Sequence, residues 1–466
     1  MVASCIDCLR QSKWSRVTDV VPGEADCFCA RAAELTGAAV LSNDSDLPLH
    51  DLGNGCVVIL QTLEMTRKHK SHAKGHIVAQ CLRPYLVATR MTVPSLLRYG
   101  FERSKDPTAT ASVVKDRARD TTRFEEQSSD YALFEAQYHV STDQMEQYLA
   151  PSMSLQELDP RNAEVVCQTR QLVVPAVHVY LPMLLEDPSR DAAWSYGFVY
   201  REVAYSVLLW SSPTTTSSTQ VLEYARKGAR VVANTFTRIS QEGVARHLSE
   251  IILLLQQYEC KEHPNNMSKT AVNFWLVALH IFYNAKREKD VILEPDYALR
   301  VCGYPPSNRR LTWDDVHANA CLQSILYSLR ILEQLLSHAS HEPVFQFWPQ
   351  LQVLKGLLGN MPCIDQLFFG PRELIAVMQK IPSDFFRDRL SSMMRSFERG
   401  PVVCPSHLNE PEHVEPAVEI KPTNTGEWVH PKKKRKRVRP DSAISSGHLP
   451  RTGHKNINSF DILQRT

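Results

Sequence analysis

Between Arg16 and Leu60 the chain alternates two kinds of pattern, and that alternation limits its fold more than any other feature. Arg16 to Val21 is β-branched and strand-like, and Pro22-Gly23 closes it. Glu24 to Leu35 is rich in Ala, Cys and Glu, a helical composition, with Gly37 where a left-handed C-cap glycine belongs. Ala38 to Asn43 reads as a short buried strand, and Cys56 to Leu60 as another, reached through the polar turn Gly53-Asn54-Gly55. Strand, helix, strand, turn and strand predict part of an α/β domain with a mainly parallel sheet over residues 1–75. A helix over Ser4 to Ser12 precedes it.

From residue 76 the periodicity becomes helical. Apolar residues three and four apart predict helices over Ile77–Met91, Ser95–Phe101, Ala109–Arg119, Phe124–Tyr138, Ala192–Trp210, His247–Glu259, Ser268–Lys286, Trp313–Ser337 and Val344–Leu358. The expectation is a large, mainly α-helical region over 76–400, with Ser211–Thr219 a polar loop inside it. With 43% hydrophobic and 22% charged residues, the chain has enough apolar material for two or three packed domains. The longest apolar stretch, Ala271 to Tyr283, is well short of the roughly 20 residues that cross a bilayer, so no membrane partner is expected. Twelve scattered cysteines and no secretory pattern at the N-terminus fit a reducing, intracellular compartment.

The net charge of +2 conceals an asymmetry. Residues 421–466 hold 11 Lys/Arg against 3 Asp/Glu, which leaves the first 420 with a balance of −6. Residues 401–466, rich in Pro, Glu, Asn and Lys, read as a disordered tail. Within it, Lys432, Lys433, Lys434, Arg435, Lys436 and Arg437 form a compact cationic run between prolines, the pattern of a nuclear-import signal. An import receptor is the implied partner and the nucleus the implied location.

The chemistry concentrates in Val20 to Leu52. Glu24 and Asp26 form one i, i+2 pair of acids, and Asp44 and Asp46 form another at a strand end, where open α/β sheets place their ligand sites. Taken singly, the first pair is explained as favourable charge in a first helical turn and the second as Asx-turn acceptors. Together, across one strand-helix-strand unit, they point to metal. Hydrolysis of a phosphodiester needs its charge neutralised and a hydroxide made near neutral pH. Two divalent ions about 4 Å apart do both, and Mg²⁺ or Mn²⁺ takes the hard oxygen ligands that carboxylates offer.

These residues carry a resemblance. Gly23-Glu24-Ala25-Asp26, Cys29-Ala30 and Leu41-Ser42-Asn43-Asp44-Ser45-Asp46-Leu47 resemble the internal region of the XPG and flap-endonuclease nucleases, within the PIN-like fold. His50-Asp51-Leu52-Gly53, Tyr180 to Pro188 and Arg201 to Ser206 resemble the fungal Asteroid-type branch. The resemblance implies a structure-specific, Mg²⁺- or Mn²⁺-dependent endonuclease acting on branched or flapped DNA, with a place in DNA repair. It also implies that Glu24, Asp26, Asp44 and Asp46 are the catalytic metal ligands. Family members carry a further N-terminal strand with its own Asp, whereas here only 13 residues precede Trp14, so an incomplete metal site is expected. The alternative is a catalytically inactive PIN-like scaffold whose helical region binds partners.

Weaker signals lie nearby. Arg67, Lys68, Lys70 and Lys74 form a basic loop able to contact DNA phosphates, with a solvated loop the equal alternative. Its histidines lack the cysteine pair that zinc would need. Cys5, Cys8, Cys27 and Cys29 are expected to be buried as small apolar residues. Glu102 and Asp106 fall near the position of a further family acid, but neither is assigned.

Overall fold

The computed structural model describes residues 2–66, 76–139, 155–170, 176–211, 220–258, 267–287, 297, 312–340, 348–367, 388–393 and 395. They form two compact units, one from residues 24–139 and the other from 2–23 with 155–395.

In the first unit the helix Asp26–Thr36 ends where expected, because Gly37 takes φ +70° and returns its N–H to the Ala33 carbonyl at 2.7 Å. Strand β1, Ala39–Ser42, then runs parallel to β2, Cys56–Ile59, in the register Ala39↔Cys56 to Ser42↔Ile59. The connection between them passes through Gly55, where a Cβ would stand 2.7 Å from the Ala38 carbonyl oxygen, a distance only glycine permits. Ala30, Ala33, Leu47, Leu52 and Val57 form the small core between helix and sheet.

The chain beyond β2 departs from the helical reading. β3, Glu64–Thr66, pairs antiparallel with β4, His76–Val78, and β5, Cys81–Leu82, pairs antiparallel with β2. The helix expected from Ile77 therefore begins only at Pro84, since Ile77-Val78 is β-branched and proline suits a first helical position. Helices Leu96–Lys105 and Ala111–Arg119 follow, capped by Ser95 and Thr110 side chains that accept from Arg98 N and Val113 N. Short helices, Thr121–Glu126 and Ser128–Glu135, and the turn Ala136–Tyr138 complete the unit.

The second unit is built around the 27-residue helix Trp313–Ala339, started by a reciprocal capping box between Thr312 and Asp315. Helices Pro160–Arg170, Phe198–Ser211, Gln241–Tyr258, Met267–Arg287 and Gln350–Leu358 share one continuous core with it. The helix Val2–Arg10 joins this body through Asp7, which pairs with Arg330 at 2.9 Å. The strand expected over Arg16–Val21 is absent. Ser15–Val17 is a 3₁₀ turn, and the Gln156 side-chain amide bonds both Val20 N (2.8 Å) and Val20 O (3.3 Å), replacing a neighbouring strand.

A three-stranded sheet interrupts the region read as helical. β6, Val177–Tyr180, is parallel to β7, Gln220–Lys227, which is antiparallel to β8, Arg230–Thr237. Its inward face carries Glu223, a charge at a core position, so the alternation that marks a strand is broken in the sequence. Arg201 explains why the charge survives there. Its Nε and Nη2 donate to the two Glu223 oxygens at 2.6 and 2.8 Å, and Nη1 donates to Ser328 at 2.7 Å, with both partners about 1% exposed. Residues 67–75, 141–154, 212–219 and 401–466, including the polar loop and the expected disordered tail, lie outside the described residues.

Candidate metal centre

Each acid of the proposed set is placed by a local rule. Asp26 opens its helix, where a negative charge meets the positive end of the helix dipole. Glu24 stands two residues earlier, exposed. Asp44 and Asp46 occupy the loop directly after β1, at the carboxyl end of a parallel strand, as their spacing predicted.

That loop is fixed by its own hydrogen bonds. Asp44 N donates to Ser42 Oγ at 2.9 Å, and Asp46 N donates to Asp44 Oδ1 at 3.0 Å, the Asx turn expected of these residues. Asn43 Oδ1 accepts from Gln61 N at 2.8 Å, tying the loop to the segment after β2. Asp44 thereby spends one oxygen on the loop and keeps Oδ2 for other work.

Electrostatically the four acids share one field. Burial raises the Asp26 carboxyl above its usual range, and Asp44, Glu24 and Asp46 push it further in the same direction, with His50 opposing. None of the four pairs with a lysine or arginine among the described residues. An all-oxygen donor set without a counter-cation suits a hard divalent ion that brings its own waters. The side chains do not close into a cage, however. Among the described residues, no group of three or more His, Cys, Asp or Glu stands at metal-holding distance.

Two residues that the sequence reading did not assign complete the surroundings. His50 is buried, and its Nδ1 lies 3.0 Å from the Tyr138 carbonyl oxygen. A carbonyl only accepts, so Nδ1 carries the proton. Burial holds the His50 pKa below its ordinary value, which keeps the ring neutral near neutral pH. Tyr138 packs edge-on to His50 at 5.1 Å, and burial next to Asp46 and Asp44 pushes its hydroxyl up to about 12. The Cys27 thiol contacts the Gln137 carbonyl at 3.7 Å and so brings the Ala136–Tyr138 turn to the same helix as Asp26. A polar His50 closing the apolar run Leu47-Pro48-Leu49 was the available signal; Tyr138 had none.

The other candidates separate cleanly. Glu102 is fully buried between Arg98 (3.0 Å) and Arg123 (3.1 Å), and Asp106 binds Thr108 and Arg117, so both are structural. Cys27 and Cys29 are half-buried, but Cys5 and Cys8 are exposed, contrary to expectation, because they lie on the outer side of the amphipathic helix Val2–Arg10. Arg67, Lys68, Lys70 and Lys74, and the run Lys432–Arg437, lie outside the described residues. The second set of motif residues is framework. Glu186 accepts from Ala193 N and pairs with Arg226 at 2.7 Å, Trp194 Nε1 donates to the Pro182 carbonyl, and Ser206 Oγ accepts from Ile239 N.

No described helix is long and apolar enough to cross a membrane. No curated protein and no solved structure matches the chain. A family model described as XPG domain containing matches residues 1–238, a stretch that runs through the acid loop and ends just beyond β8. That match spans just over half of the 466 residues and holds both acid pairs, and the chain therefore belongs to the XPG-domain-containing family.

Proposed function

We propose that this XPG-domain protein is a divalent-metal-dependent nuclease that hydrolyses phosphodiesters in branched or flapped DNA. The observation that carries the reading is the placement of Asp44 and Asp46 in the loop at the carboxyl end of β1, near enough to the half-buried Asp26 at its helix start to raise its pKa, with no lysine or arginine partner for these acids among the described residues. Like charges gathered this way raise the cost of ionising one another, and a bound cation relieves it. Glu24, Asp26, Asp44 and Asp46 would hold Mg²⁺ or Mn²⁺, which would supply charge neutralisation at the scissile phosphate and activation of water near neutral pH.

The chain's own contribution is preorganisation. The Asp44–Asp46 and Asn43–Gln61 bonds fix the loop before any ligand arrives, which lowers the ordering cost of binding. Neutral His50, donating to the Tyr138 carbonyl, holds the far wall of the acid loop without adding charge to it. Arg67, Lys68, Lys70 and Lys74 are assigned to backbone phosphates, giving salt-dependent affinity without sequence preference. Lys432 to Arg437 are assigned to an import receptor and a nuclear location, and the Tyr180–Pro188 and Arg201–Ser206 motifs to an Asteroid-type lineage.

A second reading, an inactive scaffold, is favoured by one observation: no three potential ligands stand at metal-holding distance among the described residues. The two readings part in a single assay. Labelled flap, splayed and single-stranded DNA is incubated with the chain in Mg²⁺ and Mn²⁺, beside the Asp44→Ala/Asp46→Ala variant. The nuclease reading expects cleavage that falls by ~10²-fold or more in the variant. Silence from both proteins leaves the scaffold.

A further inference from the structure

We propose that β8 is the pairing edge of a two-fold dimer, in which two copies of this chain join their three-stranded sheets into one of six strands. Among the described residues, the order β6-β7-β8 leaves β8 with a neighbour on one side only. It is eight residues long, and every residue except Phe236 is exposed, with Val231 58% and Val232 38% accessible. Phe236 alone is buried, stacked on Phe198 at 4.3 Å and edge-on to Tyr205, while Val232 and Asn234 on the same face stay exposed. The strand thus overhangs the core and, among the described residues, presents a row of backbone N–H and C=O groups without a strand partner.

Natural edge strands are blunted by shortness, proline, inward charges or a covering element. β8 reads Arg-Val-Val-Ala-Asn-Thr-Phe-Thr, with no proline and a single charge at its first position. Its composition is that of an interior strand, so a partner strand is its natural complement.

The sequence of β8 selects a second copy as that partner. Two-fold symmetry makes the pairing antiparallel, the stronger ladder. With Ala233 on the axis, residues whose numbers sum to 466 face each other. Val231 then meets the copy's Thr235, a favourable β-branched pair. The two Arg230 residues lie at opposite ends of the ladder, about 20 Å apart along the strands. On the outer face the row Tyr180, Tyr224 and Ala233 is already aligned by register, with the Tyr180 and Tyr224 rings stacked at 4.4 Å. It would run without interruption into its symmetry mate.

The test is the mass of the full chain by sedimentation velocity over a concentration series, beside two designed variants. Val231→Lys/Thr235→Lys sets like charges opposite each other and is expected to weaken the dimer by at least ~tenfold, whereas Val231→Lys/Thr235→Glu sets Lys opposite Glu and restores it. Both changes are at exposed positions. Hydrogen exchange on the wild type gives an independent readout, with protection of 230–237 rising with protein concentration. A monomer at ~100 µM, well above the affinity of a specific interface of this kind, overturns the proposal. So does a dimer that ignores both variants and leaves 230–237 unprotected.

Discussion

The two units treat charge in opposite ways. In the helical unit, Arg201 and Glu223 are both about 1% exposed and use five donor or acceptor atoms on each other and on Ser328. Asp159 is likewise buried, gripped by Arg330 through two bonds, by Tyr327, and at its backbone N–H by Gln334. In the acid unit, Glu24, Asp44 and Asp46 stand in solvent, and the half-buried Asp26 answers to them without a lysine or arginine partner among the described residues. Closed charge pairs hold a fold in one arrangement; open acids of one sign are costly to the fold and useful to a ligand. The lesson is that the count of charges says little, and whether each is answered separates charges that serve the frame from charges left open to a ligand.

Cutting a closed pair should give the largest effect. Glu223→Ala leaves a buried guanidinium unanswered and is expected to cost about 3–5 kcal/mol in urea unfolding followed by circular dichroism. A loss below ~1 kcal/mol would mean that the pair is not closed in solution.

The next effect is a pH response confined to the helical unit. Burial pushes His280 from 6.5 to about 4, with Tyr258 bonded to its Nδ1 at 2.7 Å. The folded pKa lies below the unfolded one, so the unfolded chain binds the extra proton between those values. Stability is therefore full above pH 6.5 and falls as pH drops toward 4, by about 3 kcal/mol for this group. His280→Gln should flatten that limb of the curve of unfolding free energy against pH.

The smallest effect belongs to the acid unit. Asp26 has a raised pKa, so its native form holds a proton more tightly than the unfolded chain, and its contribution to stability falls as pH rises through the titration. Asp26→Asn should leave the metal-free unfolding free energy unchanged or raised by less than ~0.5 kcal/mol, and should abolish the stabilisation by added Mn²⁺ that the proposed function expects of the wild type. A clear destabilisation without metal would place Asp26 among the frame residues and weaken the contrast.

Much of the acid unit was legible in advance. The helix from Asp26, its glycine cap, β1, β2 and the strand-end position of Asp44 and Asp46 all follow from local rules: a dipole, a left-handed φ, a run of β-branched residues and a turn. β4 and β5 were misread as helix because short strands carry too few residues to show a period. The sheet of the helical unit was missed because Glu223 occupies an inward position that only Arg201, 22 residues away in sequence, makes tolerable.

The sequence by itself therefore determined the α/β segment, the placement of two acid pairs at element ends, and most of the long helices, since each depends on neighbours a few residues apart. Tertiary structure alone decided that β7 could carry a buried glutamate, that Gln156 would stand in for a strand beside Val20, and that His50 and Tyr138 would border the acids. Those outcomes depend on partners about 20 to 140 residues away in the chain, and a local pattern holds no record of which distant group will arrive to satisfy a buried charge or an open hydrogen bond.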